Sequence, residues 1–307
     1  MKIYRRNTGE VLADIGEIKD LRGKDLSGAD FRGMNLCGWD FSGANLSEAD
    51  FSGATLENNN FEKSNMTGAR FCEASLVRER FDGVNLSGAD FRGSRLSGCG
   101  FVGAFLYGAN FSEARAPQSD FERARMSNAN LSGADLSTAN FLLALAEGAN
   151  FKGANLSNSN FVDASAPGAD FGRALLASAQ MAGMNGVSAN FDRAVLTGVN
   201  AWQSDFRKAS FKNVDASEAL LDEADFQNAD LSESRLHSSN VARANFNESN
   251  LHGVGFSSSN LSGSSFIGAT GLETIDWSDA RMTGVIFDRE ELADDMDIDE
   301  TDSGPEI

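Results

Sequence analysis

The chain is poor in the residues that build chemical sites: among its 307 residues are three Cys, three Trp, three Pro, two His and two Tyr. Cys37, Cys72 and Cys99 are too few and too scattered for a disulfide framework or a zinc site, and such sparse cysteine fits a reducing cytoplasm. His237 and His252 have no carboxylate or cysteine at ligand spacing, so they read as surface histidines rather than metal ligands or a general base. No serine sits in a nucleophile elbow or a triad pattern. A calcium-binding Gly-Gly-x-Gly-x-Asp nonapeptide period is also missing. No run of 18 apolar residues could span a membrane, and the dispersed apolar residues of positions 1–20 do not form a signal peptide. These absences point away from an enzyme, a cofactor, a metal and a membrane anchor, and toward a soluble cytoplasmic protein.

Phenylalanine, by contrast, is abundant and strictly placed. Of the 15 positions counted in tens from Phe31 to Phe171, 14 are Phe and only Leu131 breaks the run. Halfway between, from Leu36 and Leu46 to Ala166, there is no Phe, so the unit is five residues with Phe and Leu alternating at its centre. Centres run without a slip from Leu21 to Phe266, which makes 50 units. One extra residue near Gly271 then shifts the last centres to Leu272, Trp277, Met282 and Phe287, for 54 units in all. Two positions before a centre stands a small residue such as Ala29 or Ala44, Asp or Asn precedes the centre in 31 of the 50 units, and Gly is common two positions after it.

A period of five suits neither a helix nor a flat strand. It suits a coil that turns once per unit, with the centre and the small residue inside, Asp or Asn outside, and Gly providing the positive φ of a type II turn. With three or five units per coil, each Phe would stack on a Leu. With four, Phe41, Phe61, Phe81, Phe101, Phe121, Phe141 and Phe161 share one wall, while Phe31, Phe51, Phe71, Phe91, Phe111, Phe151, Phe171, Phe191 and Phe211 line the opposite wall. The expectation is an all-β, four-sided, right-handed parallel β-helix of about 13 coils and roughly 65 Å. The repeats would fill residues 21–287, behind a capping hairpin at 1–20, with a short capping helix and an acidic disordered tail at 288–307.

The motif Ala-(Asp/Asn)-(Leu/Phe)-x-x, as in Ala29-Asp30-Phe31, Ala89-Asp90-Phe91 and Ala134-Asp135-Leu136, resembles the pentapeptide-repeat family over nearly the whole chain. The resemblance implies the square β-helix and no catalysis. In the best understood members it also implies binding to DNA gyrase or topoisomerase IV as a mimic of duplex DNA. The loops and the C-terminal apolar dimerisation helix of those members are missing here. Folds host many functions, so a structural or protein-interaction scaffold, for example a phage accessory or host-directed protein, stands as the alternative.

Charge and outward apolar residues supply two candidate surfaces. The formal charge is −19, of which residues 288–307 carry −9, residues 1–20 carry none and the repeats −10. One wall aligns Asp30, Asp50, Asp90, Asp170 and Asp230, with Asn110, Asn130, Asn150 and Asn190 between them. This is the face that an enzyme expecting DNA would meet, with no direct nucleic-acid binding by the protein itself. The second surface is an outward apolar patch of Phe105, Tyr107, Leu142, Leu143 and Leu145, a candidate site for a protein partner or a homodimer. Trp202 points outward in isolation. Trp39 and Glu79 fall on small inward positions and should bulge their coils, with Glu79 swinging out to pair with Arg78 or Arg80. Shrinking centres at Ala146, Ala166 and Gly186 lead to a bend or small cavity near residues 166–201.

Overall fold

A computed structural model of the chain describes residues 2–14 and 19–288. Residues 289–307, which hold nearly all of the anticipated capping helix and acidic tail, lie outside the described residues. Nearly all of the in-register five-residue units repeat one geometry. The centre is buried, the next two residues turn, the fourth is usually small and buried, and the fifth faces outward and pairs with another coil. In the units from Leu21 to Phe266 the second turn residue has a left-handed φ. Gly133, at φ 67°, adopts it without cost, whereas the β-branched Thr138 is held there at φ 57°.

The outward residues form parallel bridges at a constant step of 20, from Asp20 with Asp40 through to Asn250 with Thr270. Four units therefore complete one coil of a four-sided β-helix. Beyond that point the step is 21, as in Gly255 with Asp276, because the 3-10 turn Leu272–Thr274 absorbs the extra residue. Below, each wall is named after an early centre: Leu26, Phe31, Leu36 or Phe41.

Phenylalanine sets the interior. Rings stack down the Phe31 wall, with Phe91 and Phe111 centroids 4.6 Å apart, and down the Phe41 wall, with Phe141 and Phe161 4.5 Å apart. The two stacks meet edge to face, as Phe101 and Phe111 do at 5.6 Å and 88°. Each buried ring contributes about 1.5–3 kcal/mol, and each such pair about 0.5–1.5 kcal/mol more. After Phe161 the Phe41 wall loses its rings, beginning with Met181, and Phe206, Phe226, Phe246 and Phe266 continue on the Leu26 wall. At the shrunken centre Gly186 the space is taken up by a ring from the next coil. The Phe206 ring fills the space above Gly186, where an added Cβ would lie 2.9 Å from it. A void of only about 10 Å³ lies further on, among Leu196, Phe211, Ala216, Leu221 and Leu236.

At the N-terminal end, strands β1 (Lys2–Tyr4) and β2 (Val11–Asp14) form an antiparallel hairpin. It is tied to the first coil by Asp30 N–H donating to Tyr4 O and by Arg6 N–H donating to Gly28 O, both 2.9 Å. Ile3 is fully buried, and Arg6 pairs with Asp50 at 2.6 Å.

Candidate functional site

The apolar patch sits on the Leu26 wall and its two corners. Phe105, Arg125 and Leu145 stand in register on successive coils. Phe105 and Leu145 are thus two coils apart, with Arg125 between them. The Arg125 guanidinium lies over the Phe105 ring, 5.3 Å from its centroid. Tyr107 follows on the next corner, 6.4 Å from Phe105 between ring centres. Leu142 and Leu143 form the opposite corner, and Leu145 is 47% exposed.

The twenty-residue step adds neighbours that inspection of single residues missed. The Leu142 corner continues through Val162 and Ala182 to Trp202, which is 43% exposed and so ends an apolar corner rather than standing alone. Glu122 interrupts this corner between Val102 and Leu142, and it pairs with Arg123. From Phe105 to Trp202, therefore, one wall and its corner present mainly apolar and amide groups with few unpaired charges. The centres of protein interfaces in general are likewise depleted of charge around apolar side chains.

The acidic column is built differently. Its members do bridge coil to coil along the Phe31 wall, from Asp30, Asp50 and Arg70 to Asp90. Each carboxylate, however, has local work. Asp30 is paired with Arg32 and Asp90 with Arg92, both at 2.7 Å, and Asp230 with Lys212 at 3.1 Å. The Arg32 hydrogen bond holds the Asp30 carboxyl below its usual range. Asp50 is only 4% exposed, beneath Arg6. Asp170 accepts from Gly172 N–H at 2.8 Å and from Asn190 Nδ2 at 2.9 Å. This last pattern recurs along the rod. An Asp or Asn Oδ1 caps the turn that follows by accepting the N–H two residues on, and an Asn Nδ2 donates to the Oδ1 one coil before, as in Asn140 to Asp120 and Asn160 to Asn140. The outward Asp and Asn residues are thus structural fasteners.

The remaining candidates carry little chemistry. Burial pushes the Cys99 thiol up to about 12, and its Sγ donates to Leu76 O at 2.8 Å. Burial likewise raises the Cys72 thiol. His237 lies half-buried over Gly255, with Nδ1 2.7 Å from Ser257 Oγ. Among the described residues no cluster of His, Cys, Asp and Glu is arranged to hold a metal, and no helix is long and apolar enough to cross a membrane.

The twenty-residue step and the five-residue geometry accord with the family comparison. The pattern of the pentapeptide repeats family matches in eight copies over residues 25–62, 64–101, 104–141, 154–185, 189–228 and 229–268. The chain belongs to the pentapeptide repeat family. Among solved structures, this pentapeptide repeat protein is similar to HetL, a pentapeptide repeat protein involved in heterocyst differentiation regulation in the cyanobacterium Nostoc. The identity is 23% over 84% of this chain and 90% of that one, with a TM-score of 0.32. It is also similar to QnrB1, a plasmid-mediated fluoroquinolone resistance protein, at 18% identity over 70% and 92%, with a TM-score of 0.30. A third likeness is to a pentapeptide repeat protein of the Arabidopsis thaliana thylakoid lumen, at 29% identity over 44% and 69%, with a TM-score of 0.23. No curated protein matches the chain.

Proposed function

We propose that this pentapeptide repeat protein is a non-enzymatic cytoplasmic binding protein, a right-handed rod of about 13 coils that presents its Leu26 wall to a protein partner. The carrying observation is the weakly charged stretch from Phe105 to Trp202, with Tyr107, Leu142, Leu143 and Leu145 exposed or half-exposed within it. The hairpin of β1 and β2 at its N-terminal end serves as a cap. The test is the double substitution Phe105→Ser and Leu145→Ser. Both side chains point away from the core, so folding should be kept while self-association by light scattering, or capture of partners from a bacterial lysate, is lost. Unchanged mass and unchanged capture would remove the proposal.

A second reading is a mimic of duplex DNA that binds or protects DNA gyrase or topoisomerase IV. The family resemblance and the repeat charge of −10 favour it. The pairing of Asp30, Asp50, Asp90 and Asp230 with cations counts against the Phe31 wall as its contact face. Supercoiling by gyrase in the presence of the protein decides this reading: inhibition or quinolone rescue that fades when Asp30, Asp90, Asp170 and Asp230 become Lys supports it.

A further inference from the structure

Among the described residues, the backbone ladder that joins coil to coil has one long interruption. On the Phe41 wall, Phe41 N–H donates to Asn60 O and Phe81 N–H to Gly100 O. Between these two coils, among the described residues, five successive bonds of the same pattern are missing: Asn58 to Val77, Arg80 to Asn59, Phe61 to Arg80, Lys63 to Asp82 and Asn85 to Ser64. The bridge of residue 60 with residue 80 is likewise the one absent from the twenty-step series. Ser64, at the far end of the gap, keeps a buried Oγ with no hydrogen-bond partner. Of the five donor residues Asn58, Lys63, Arg80 and Asn85 are exposed, so water can reach them, and Phe61 is the buried one.

Its cause lies in one column of side chains. Position by position along this edge, the later coils carry Cys99, Ser119, Ala139 and Ser159, whereas the early ones carry Trp39, Asn59 and Glu79. Glu79 does not swing out to Arg78 or Arg80. It is 1% exposed, and its carboxylate accepts from Asn59 N–H at 3.1 Å, Asn59 Nδ2 at 3.0 Å and Arg80 N–H at 3.3 Å. Asn59 Oδ1 in turn accepts Trp39 N–H at 2.9 Å. These side chains take the donors that would otherwise close the turn and the ladder, and their bulk spreads the wall. Ring spacings there are 5.2, 5.3 and 5.4 Å from Phe41 to Phe101, against 4.7, 5.0, 4.8 and 4.6 Å from Phe31 to Phe111 on the opposite wall. That opposite wall keeps its bonds, with Phe51 N–H to Arg70 O at 2.7 Å and Phe71 N–H to Asp90 O at 2.6 Å.

We infer that the rod carries a one-sided hinge here: the Phe41 wall opens between residues 58–64 and 77–85 while the Phe31 wall acts as the pivot, so the hairpin and the first coils tilt as a block against the rest. In a repeat stack each coil contacts only its neighbours, so a weak interface at one step localises motion to that step.

Hydrogen exchange on the intact chain tests it. Amides of Phe61, Lys63 and Asn85 should exchange at least about tenfold faster than their counterparts one coil on, Phe81, Gly83 and Phe105. Glu79→Ala, which supplies the small residue found on later coils, should slow the three amides toward those counterparts. Equal protection in the unaltered chain overturns the hinge, and so do amides that stay fast in Glu79→Ala.

Discussion

Glu79 offers a stability prediction with a definite sign. Burial raises its carboxyl above the ordinary value of 4.5, against the lowering effect of the Asn59 and Arg80 donors and with Glu57 adding to the rise. The charged neighbours on the adjoining segments are Glu57, Glu62, Lys63, Arg78, Arg80 and Asp82. Because the folded-state value is raised, the stability linked to this group is fully present in acid, below the ordinary carboxyl value, and is lost as pH rises through the raised one. Glu79→Ala removes that loss and lets up to five backbone bonds form, each worth about 0.5–1.5 kcal/mol net, at the expense of the bonds now made to Asn59 and Arg80. A gain of about 2 kcal/mol at pH 7.5, and a smaller one at pH 4, is the expected outcome. Urea titration of both proteins at both pH values, with protection of the Phe61 region as a local readout, measures it. An alanine variant less stable than the native chain at both pH values would refute the reasoning, since Glu79 would then be a net stabiliser.

Three further outcomes follow from single contacts. Thr138→Gly should raise stability by about 1 kcal/mol in a thermal or urea scan, because a β-branched residue now occupies a left-handed turn position. Gly186→Ala should cost about 1–3 kcal/mol, as its Cβ would press on the Phe206 ring. Arg6→Ala should cost about 2 kcal/mol by stripping a cation from the buried Asp50. Burial pushes the Asp50 carboxyl up, but bonds from Ser52 and Arg6 outweigh it and leave the value lowered. That stability is therefore present above the ordinary carboxyl range and lost as pH falls through the lowered value, so the penalty of Arg6→Ala should shrink in acid.

Periodicity made the architecture legible. Phe spaced by ten, with Leu between, is compatible only with an even number of units per coil, and the bridges at a step of 20 realise four. Local pairing was also written in the sequence and is easily missed: Asp30-Phe31-Arg32 and Asp90-Phe91-Arg92 place a guanidinium two residues from each carboxylate, on the same side of the turn, so part of an apparently acidic column neutralises itself, and Asp205-Phe206-Arg207 repeats the device on the Leu26 wall. The hinge had a signal too, in large residues recurring at 39, 59 and 79 where small ones belong. What the pattern did not reveal was that a buried carboxylate could stay inside by taking the backbone N–H and side-chain amide of Asn59 from the coil before it. That depends on three-dimensional proximity across 20 residues rather than on neighbours in the chain.

The central claim is that recognition runs through the weakly charged wall from Phe105 to Trp202 and not through acidic mimicry of DNA. Its most direct test is the salt dependence of binding, measured with a partner captured on the immobilised protein and separately with purified gyrase. Contacts made by apolar side chains change little between roughly 0.05 and 0.5 M salt, whereas exposed charge pairs are largely screened over that range. The account predicts binding that survives high salt and is abolished by Phe105→Ser with Leu145→Ser. Binding to gyrase that collapses as salt rises and is indifferent to that double substitution would contradict it.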